Sequence, residues 1–423
     1  MPAELTQEQR AAAESPYDMT AILACAGSGK TRTLVARVCF LLQRDARPED
    51  ILVLCFSRSA CAVFRERLVS ALGDVGKRVV VTTFHALAAA FVVPPGMRVA
   101  TEIESDEALR SVASGPTRRA ANKLSGIRAL RGAVVDFEAY GLLTPDVHLV
   151  ERRMRNVGLV PMWSLLPRVR EISRCLAFAH VIVDEAQDCT SNEMRYAMEI
   201  AVESLTIAGD PRQAIFGWRG AIDPVSLLAG HQALVYVYSL TRSFRFGAAI
   251  AGAANAFMAA GESAIQPAPD VASTVTASPT IREAVAQRVG STMLLCRTNH
   301  ECEMAAMESA DIVLVRRDPL DSFADDAERL QAVWDDGKVP TLMIHASKGR
   351  EADTVILVRD LEAKHVDEEM RVTHVGITRA RSNLVICGLN GEINNSADRS
   401  RGSEGSIGSA ASGCRAEGES DNV

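Results

Sequence analysis

The sequence predicts an α/β fold of two lobes with parallel sheets, plus a small helical insert in the first lobe. Three observations lead there. Short apolar, β-branched runs alternate with segments of helical period, the pattern of strands joined by crossover helices. The runs fall into two groups of five, which argues for two sheets rather than one. The 423 residues are enough for roughly two to three domains of ~150 residues each.

The first group is 21–24, 51–56, 79–84, 181–184 and 205–209, and the second is 236–240, 293–296, 341–344, 354–358 and 383–387. Between the third and fourth runs of the first group lies a helix-prone, Arg-rich stretch with few strand signals. The expected organisation is therefore 1–94 and 176–235 for the first lobe, 95–175 for the insert, and 236–389 for the second lobe. Residues 390–423 turn rich in Gly, Ser, Asn and Glu with almost no large apolar side chains, and are expected to be a disordered tail able to tether partner proteins.

Composition narrows the function classes. No run of about 18 apolar residues occurs, so no membrane span is expected, and residues 1–10 carry no signal-peptide core. The 10 cysteines form no C-x-x-C pair, and Cys39, Cys55 and Cys387 sit in apolar runs. They read as reduced core residues of an intracellular protein, cytoplasmic or, in a eukaryote, nuclear. The net charge of −7 argues against a uniformly basic coat but leaves room for a local basic groove. Arg118, Arg119, Lys123, Arg128 and Arg131, then Arg152, Arg153 and Arg155, are either a solvated helix face or contacts to a phosphate backbone.

The chemistry is concentrated in two segments. Ala24-Cys25-Ala26-Gly27-Ser28-Gly29-Lys30-Thr31 follows the first strand run and precedes a helix over 31–43. Ala26, Gly27, Ser28 and Gly29 supply a nest of backbone N–H groups for phosphates, Lys30 reaches the β- and γ-phosphates, and Thr31 ligates Mg²⁺. Val181-Ile182-Val183-Asp184-Glu185 is a strand with two acids at its carboxyl end. Asp184 is the second metal ligand, and Glu185 orients or deprotonates the attacking water. Together they predict hydrolysis of a nucleoside triphosphate with ATP and Mg²⁺ as cofactors. Gln9 has two readings: partner of Thr6 in a helix capping box, or reader of adenine.

The order of motifs resembles superfamily 1 DNA helicases of the UvrD/Rep/PcrA type over most of residues 5–388. Leu5-Thr6-Gln7-Glu8-Gln9 is similar to the adenine-reading Q motif, which favours the functional role of Gln9. Residues 24–31 resemble motif I, where alanine is usual at the first position, with Arg32 packing near the base. Residues 51–67 resemble motif Ia, with Phe56 at the base-contacting aromatic. Thr82-Thr83-Phe84-His85 resembles motif Ib, placing Thr83 and His85 beside DNA, and residues 184–188 resemble motif II. The run from Gly209 to Ala221 is similar to motif III, in which Gln213 senses the γ-phosphate and Phe216, Trp218 and Arg219 touch single-stranded DNA. Residues 240–245 resemble motif IV, with Phe244 stacking on adenine and Arg245 an arginine finger. Residues 294–299 resemble motif IVa. Residues 345–351 resemble motif V, with Glu351 near the ribose and His345 near DNA, and residues 375–380 resemble motif VI, with Arg379 the second finger.

The resemblance implies two RecA-like P-loop NTPase lobes and movement along single-stranded DNA, 3′→5′, with duplex or tailed DNA as substrate in repair, recombination or replication. Repair or replication proteins are expected partners through the tail. Arg58, Ala352 and His374 depart from the family pattern, all on the DNA side or in packing rather than at the phosphates. Only about 45 residues separate Asn299 from His345, so the large mobile subdomain that UvrD-type enzymes insert there is expected to be absent. That leaves two further readings: a translocase that remodels protein–DNA complexes without unwinding, and an ATP-gated DNA-binding module. For Phe56, Phe216 and Trp218, core packing stands beside base stacking.

Overall fold

The computed structural model describes residues 4–112, 145–172, 176–217, 220–230, 234–258, 262–315, 323–358 and 366–388. The first sheet begins with β1 (Met19–Ala24), β2 (Ile51–Cys55) and β3 (Val80–Thr83). A two-residue ladder of β4 (Arg98–Val99) with β5 (Leu159–Val160) comes next. Then β6 (Phe178–Asp184), β7 (Ala201–Gly209) and β8 (Tyr236–Leu240) complete the sheet. Its order is β3-β2-β6-β7-β1-β8, all parallel. The second sheet holds β9 (Thr274–Ser278), β10 (Thr292–Cys296), β11 (Ile312–Leu314), β12 (Val339–Met343), β13 (Ala352–Val358) and β14 (Ala380–Cys387). Its order is β11-β12-β10-β13-β14-β9, again all parallel.

The continuous apolar runs are explained by burial on both faces. In β2, Leu52 and Leu54 enter one core with Val181, Val183 and Leu205, while Ile51, Val53 and Cys55 enter another with Ile22, Leu34 and Phe64. A third cluster joins the lobes: Cys25, Ala26, Ile215 and Phe216 pack with Phe246, Ile344, Leu357, Val375 and Ile377.

The expected strand partition needs correction. Tyr236–Leu240 does not open the second sheet; it closes the first, pairing Thr20 with Tyr236 through Ala24 with Leu240. A strand signal is local, whereas the choice of neighbour follows from where the chain crosses between lobes, and here it crosses after Leu240. Each sheet has six strands rather than five. Thr274–Ser278 carries few apolar residues because it is an edge strand, and Ile312–Leu314 is only three residues long, so neither stood out in the sequence.

Within the described residues the insert contributes the helices Glu102–Val112, Pro145–Asn156 and Leu165–Ile172. Its final helix is also part of the first lobe's core, since Leu165, Leu166 and Val169 pack with Phe84, Leu87 and Val181. Arg152, Arg153 and Arg155 lie on an exposed face, opposite buried Val150 and Met154. The basic group 118–131 and the tail 390–423 lie outside the described residues, as do Trp218 and Arg219. No helix among the described residues is long and apolar enough to cross a membrane.

Candidate nucleotide site between the lobes

β7 lies between β1 and β6, so the phosphate loop and the Asp184-Glu185 pair leave the carboxyl edge of one sheet from strands that are not neighbours. That spacing opens a cleft between them, the usual ligand position of such sheets. Gly27 (φ 75°) and Gly29 (φ 79°) give the loop its curl, and the helix Lys30–Gln43 starts directly after it. A Cβ on Gly27 would meet Arg245 Cβ and Ser243 Oγ at 2.6 Å, and one on Gly29 would meet Gln9 Nε2 at 2.7 Å. The hydroxyl of Ser28 is buried without a hydrogen-bond partner among the described residues. A buried donor of that kind inside a nest of backbone amides fits a phosphate group.

Lys30 Nζ lies 2.5 Å from Glu185 Oε1 and 3.3 Å from Asp184 Oδ1. Burial works against its charge, but Glu185 and then Asp184 outweigh burial and hold the ammonium above its ordinary range. Burial raises Asp184 despite Lys30. For Glu185 burial is outweighed by Lys30 and then Lys348, which hold the carboxyl down at about 2. Glu185 also sits at φ 57°, in the left-handed region that a non-glycine residue adopts only under constraint. Gln187 steadies it, donating from Nε2 to Glu185 Oε2 at 2.6 Å while Gln187 Oε1 accepts the Asp210 amide at 3.1 Å. Thr31 is half-buried in the first turn of the helix, next to Lys30, whose Nζ reaches Asp184. A hydroxyl and one carboxylate are hard oxygen donors of the kind that suit Mg²⁺, which completes its shell with phosphate and water.

Gln9 takes the capping role and also touches the phosphate loop. Its Oε1 accepts the Thr6 amide at 3.0 Å, closing the capping box, while its Nε2 donates to Ser28 O at 2.8 Å. Arg32 donates to Glu4 O at 2.6 Å on the outer side of the loop. Phe244 presents a ring that is 47% exposed, and its amide donates to Gly27 O at 2.8 Å.

The far wall of the cleft comes from the second lobe. Arg245 Nε lies 2.8 Å from Glu351 Oε2, near enough for an ion pair but not aligned for a hydrogen bond, and its Nη1 donates to Thr378 O at 2.7 Å. Burial lowers its proton affinity in spite of Glu351. Arg379 is 3% exposed and has no carboxylate within ion-pair distance among the described residues. It donates from Nη2 to Gln213 Oε1 at 3.0 Å and from Nε to Val375 O at 3.0 Å. Burial, then the neighbouring Arg245, push its guanidinium down to about 9. Two crowded, buried guanidiniums facing a phosphate nest form a site that an anion would relieve.

Two domain models match this chain. The UvrD/REP helicase N-terminal domain matches residues 5–118 and 167–231, and the UvrD-like helicase C-terminal domain matches residues 317–390. The chain belongs to the UvrD/Rep helicase family. Among curated relatives of this family, the ATP-dependent DNA helicase srs2 of Schizosaccharomyces pombe is 25% identical over 269 residues, covering 51% of this chain and 30% of its own. The ATP-dependent DNA helicase PcrA of Staphylococcus aureus is 25% identical over 253 residues, covering 51% and 34%. DNA helicase II of Escherichia coli is 26% identical over 292 residues, covering 60% and 40%. The chain thus spans about a third of the length of the curated relatives it matches.

On the side of this UvrD/Rep cleft assigned to DNA, the expected residues are less open. Phe56 and Phe216 stack on each other, ring centroids 5.6 Å apart at 16°, and Phe216 is 6% exposed within the interlobe cluster. His345 is buried with its ring 6.2 Å from Phe216. Thr83 caps the helix Phe84–Val92 by accepting the Ala86 amide, and His85 lies 3.9 Å from Glu193. Phe216 is thus covered by Phe56 of its own lobe and flanked by His345 of the other.

Sequence reasoning passed over several residues of the cleft. Lys348 Nζ lies 2.6 Å from Asp188 Oδ1 and 2.7 Å from Gln213 O, bridging the lobes, and 5.0 Å from the Phe216 centroid. Asp210 accepts Gln213 Nε2 at 2.8 Å and Arg212 Nε at 2.9 Å. All four stand inside quoted motifs, but a charged residue in a motif does not announce its partner on the other lobe. His374, where the family pattern has an aromatic, is fully buried with Nδ1 3.2 Å from Ala254 O.

Proposed function

We propose that this chain is an ATP-dependent DNA helicase or translocase that moves on single-stranded DNA and couples hydrolysis of Mg-ATP between its lobes to strand separation. The observation that carries it is the Gln213–Arg379 contact. A side chain from the first lobe meets a buried arginine of the second lobe that has no carboxylate partner among the described residues. Closure of the lobes is thereby sensitive to an anion in the cleft. The names of the relatives, which are ATP-dependent DNA helicases and DNA helicase II, support the same reading.

In this reading Thr31 and Asp184 would hold Mg²⁺, which would supply positive charge beside the phosphates. Lys30 leaves Glu185 for the phosphates. Glu185 then loses the larger of the two cationic influences that hold its carboxyl low, Lys348 remaining, and its proton affinity rises. Arg245 and Arg379 meet charge on the transferring phosphoryl group, a contribution of about 10³–10⁵ in rate for such arginines. Phe244 stacks on adenine, Gln9 reads its edge and Glu351 contacts the ribose. Phe56, Thr83, His85, Phe216, Trp218, Arg219 and His345 are assigned to DNA contact, and the polarity implied by the family resemblance is 3′→5′. Replacing Lys30 with Ala should abolish DNA-stimulated ATP hydrolysis; undiminished turnover would sink the assignment.

The second reading, a translocase that remodels protein–DNA complexes without unwinding, is favoured by the short distance in sequence between Asn299 and His345. Strand displacement on a 3′-tailed duplex, set against 5′-tailed and blunt DNA and matched RNA, separates the two. Measurable unwinding by this chain removes the second reading.

A further inference from the structure

The N-terminal helix Gln7–Ala13 touches both moving parts of the cleft with adjacent residues. Gln9 Nε2 donates to Ser28 O in the phosphate loop at 2.8 Å. Glu8 faces the other way: its Oε2 accepts the Thr241 amide at 2.9 Å, and its Oε1 accepts the Thr241 hydroxyl at 2.7 Å. Thr241 is the first residue after β8, where the chain leaves the first sheet for the second lobe. Its carbonyl accepts the Gln266 amide at 2.9 Å and the thiol of Cys25, a residue of the phosphate loop, at 3.3 Å. Beyond it the hinge lies on that loop, with the Phe244 amide on Gly27 O and with Arg245 and Ser243 so close to Gly27 that a Cβ there would meet them at 2.6 Å.

The helix has little freedom to pivot. Arg37, on the helix that follows the phosphate loop and only 2% exposed, donates to Ala13 O at 3.3 Å and also to Ser15 O. These carbonyls end the N-terminal helix, so one guanidinium fastens its last turn.

We propose that Glu8 is a positioning residue that pins the interlobe hinge to the helix turn contacting the nucleotide loop, so that filling the loop moves the hinge. The inference rests on the nucleotide site described above and adds to it the route between loop and hinge. A carboxylate taking both donors of one residue fixes that residue's backbone and rotamer together, and charge-assisted bonds of this kind are the strong ones. When a phosphate draws the loop amides toward itself, Ser28 O shifts. Gln9 follows Ser28, Glu8 shares its turn, and Thr241 carries Phe244 and Arg245 with it.

The test is amide hydrogen exchange of the full chain with and without a non-hydrolysable ATP analogue, in wild type, Glu8→Ala, Glu8→Gln and Thr241→Val. In wild type the analogue should slow exchange over 241–246. Glu8→Ala should raise exchange there about tenfold without the analogue, the scale of one charged hydrogen bond, and abolish the analogue's effect. Glu8→Gln should fall between, and should not worsen when combined with Thr241→Val. A merely structural role would instead raise exchange across the whole first sheet and leave the analogue's effect at 241–246 intact. The proposal is overturned by that pattern, by a wild-type hinge indifferent to the analogue, or by a Glu8→Ala hinge that still responds. Should Glu8→Ala fail to fold, Thr241→Val carries the same comparison from the other partner. ATP turnover is measured in parallel. A hinge that responds in a chain that hydrolyses no ATP sinks the activity reading and leaves the hinge coupling standing.

Discussion

Arg379 and Gln213 meet across the lobe interface, Nη2 to Oε1 at 3.0 Å, with Gln213 held from behind by Asp210 Oδ2 at 2.8 Å. The glutamine amide is used at both ends: its donor is committed to an acid of its own lobe, its acceptor to an arginine of the other. Gln213→Ala should therefore uncouple the lobes more than it destabilises the fold. The expected loss is about 10- to 100-fold in DNA-stimulated ATP turnover, with about 3 kcal/mol in unfolding free energy, the scale of two hydrogen bonds to charged groups. Arg379→Lys keeps the charge but loses the fork, and turnover should drop by about 10³. Steady-state kinetics beside urea denaturation check both.

Lys348 and Asp188 form a second link, buried at 12% and 1% side-chain exposure. Removing one member of a buried pair strands the other. Lys348→Ala should lower stability by about 3 kcal/mol, and Asp188→Asn in the same chain should restore most of it. A double-mutant cycle in urea measures the coupling, and additive losses would argue against a direct pair.

Asp188 also shapes the response to acid. Burial, only partly offset by Lys348, raises its carboxyl from 3.8 to about 6. The folded state therefore takes up this proton before the unfolded state does. The group opposes folding by about 3 kcal/mol above pH ~6, and that opposition fades as pH falls toward 3.8. Glu185 has the opposite sign. Its stabilising contribution is present above pH 4.5 and is lost as pH falls through about 2. Between pH 6 and pH 4 the wild type should thus gain stability from Asp188, and Asp188→Asn should flatten that part of the curve. Chemical denaturation at several pH values reads the slope.

Gln9 allows its two roles to be separated by one atom. Gln9→Glu keeps an acceptor for the Thr6 amide but removes the donor to Ser28 O. It should melt within a few degrees of wild type while its KM for ATP rises and its preference for ATP over GTP weakens. Gln9→Ala loses the cap as well, which costs about 1 kcal/mol. Equal stability losses in the two variants would show that the loop contact, not the cap, holds this turn.

The sequence by itself determined what is local. An apolar run predicts a strand, closely spaced glycines between strand and helix predict a phosphate loop, and acids at a strand end predict a metal and base position. Lys30, Asp184 and Glu185 were legible as one cluster for that reason, and Arg245 and Arg379 stood out through their motifs. What only the tertiary structure decided is pairing across distance. Tyr236–Leu240 is strand-like in either sheet, and its place beside β1 follows from the crossing after Leu240. Phe216 is aromatic in either role, and only the fold shows it stacked on Phe56 of its own lobe and set beside His345 of the other. Glu8 and Thr241 lie 233 residues apart, as Asp188 and Lys348 lie 160 apart. A charge in sequence has no direction; only the fold, by removing water and bringing two lobes within hydrogen-bond reach, gives it a partner.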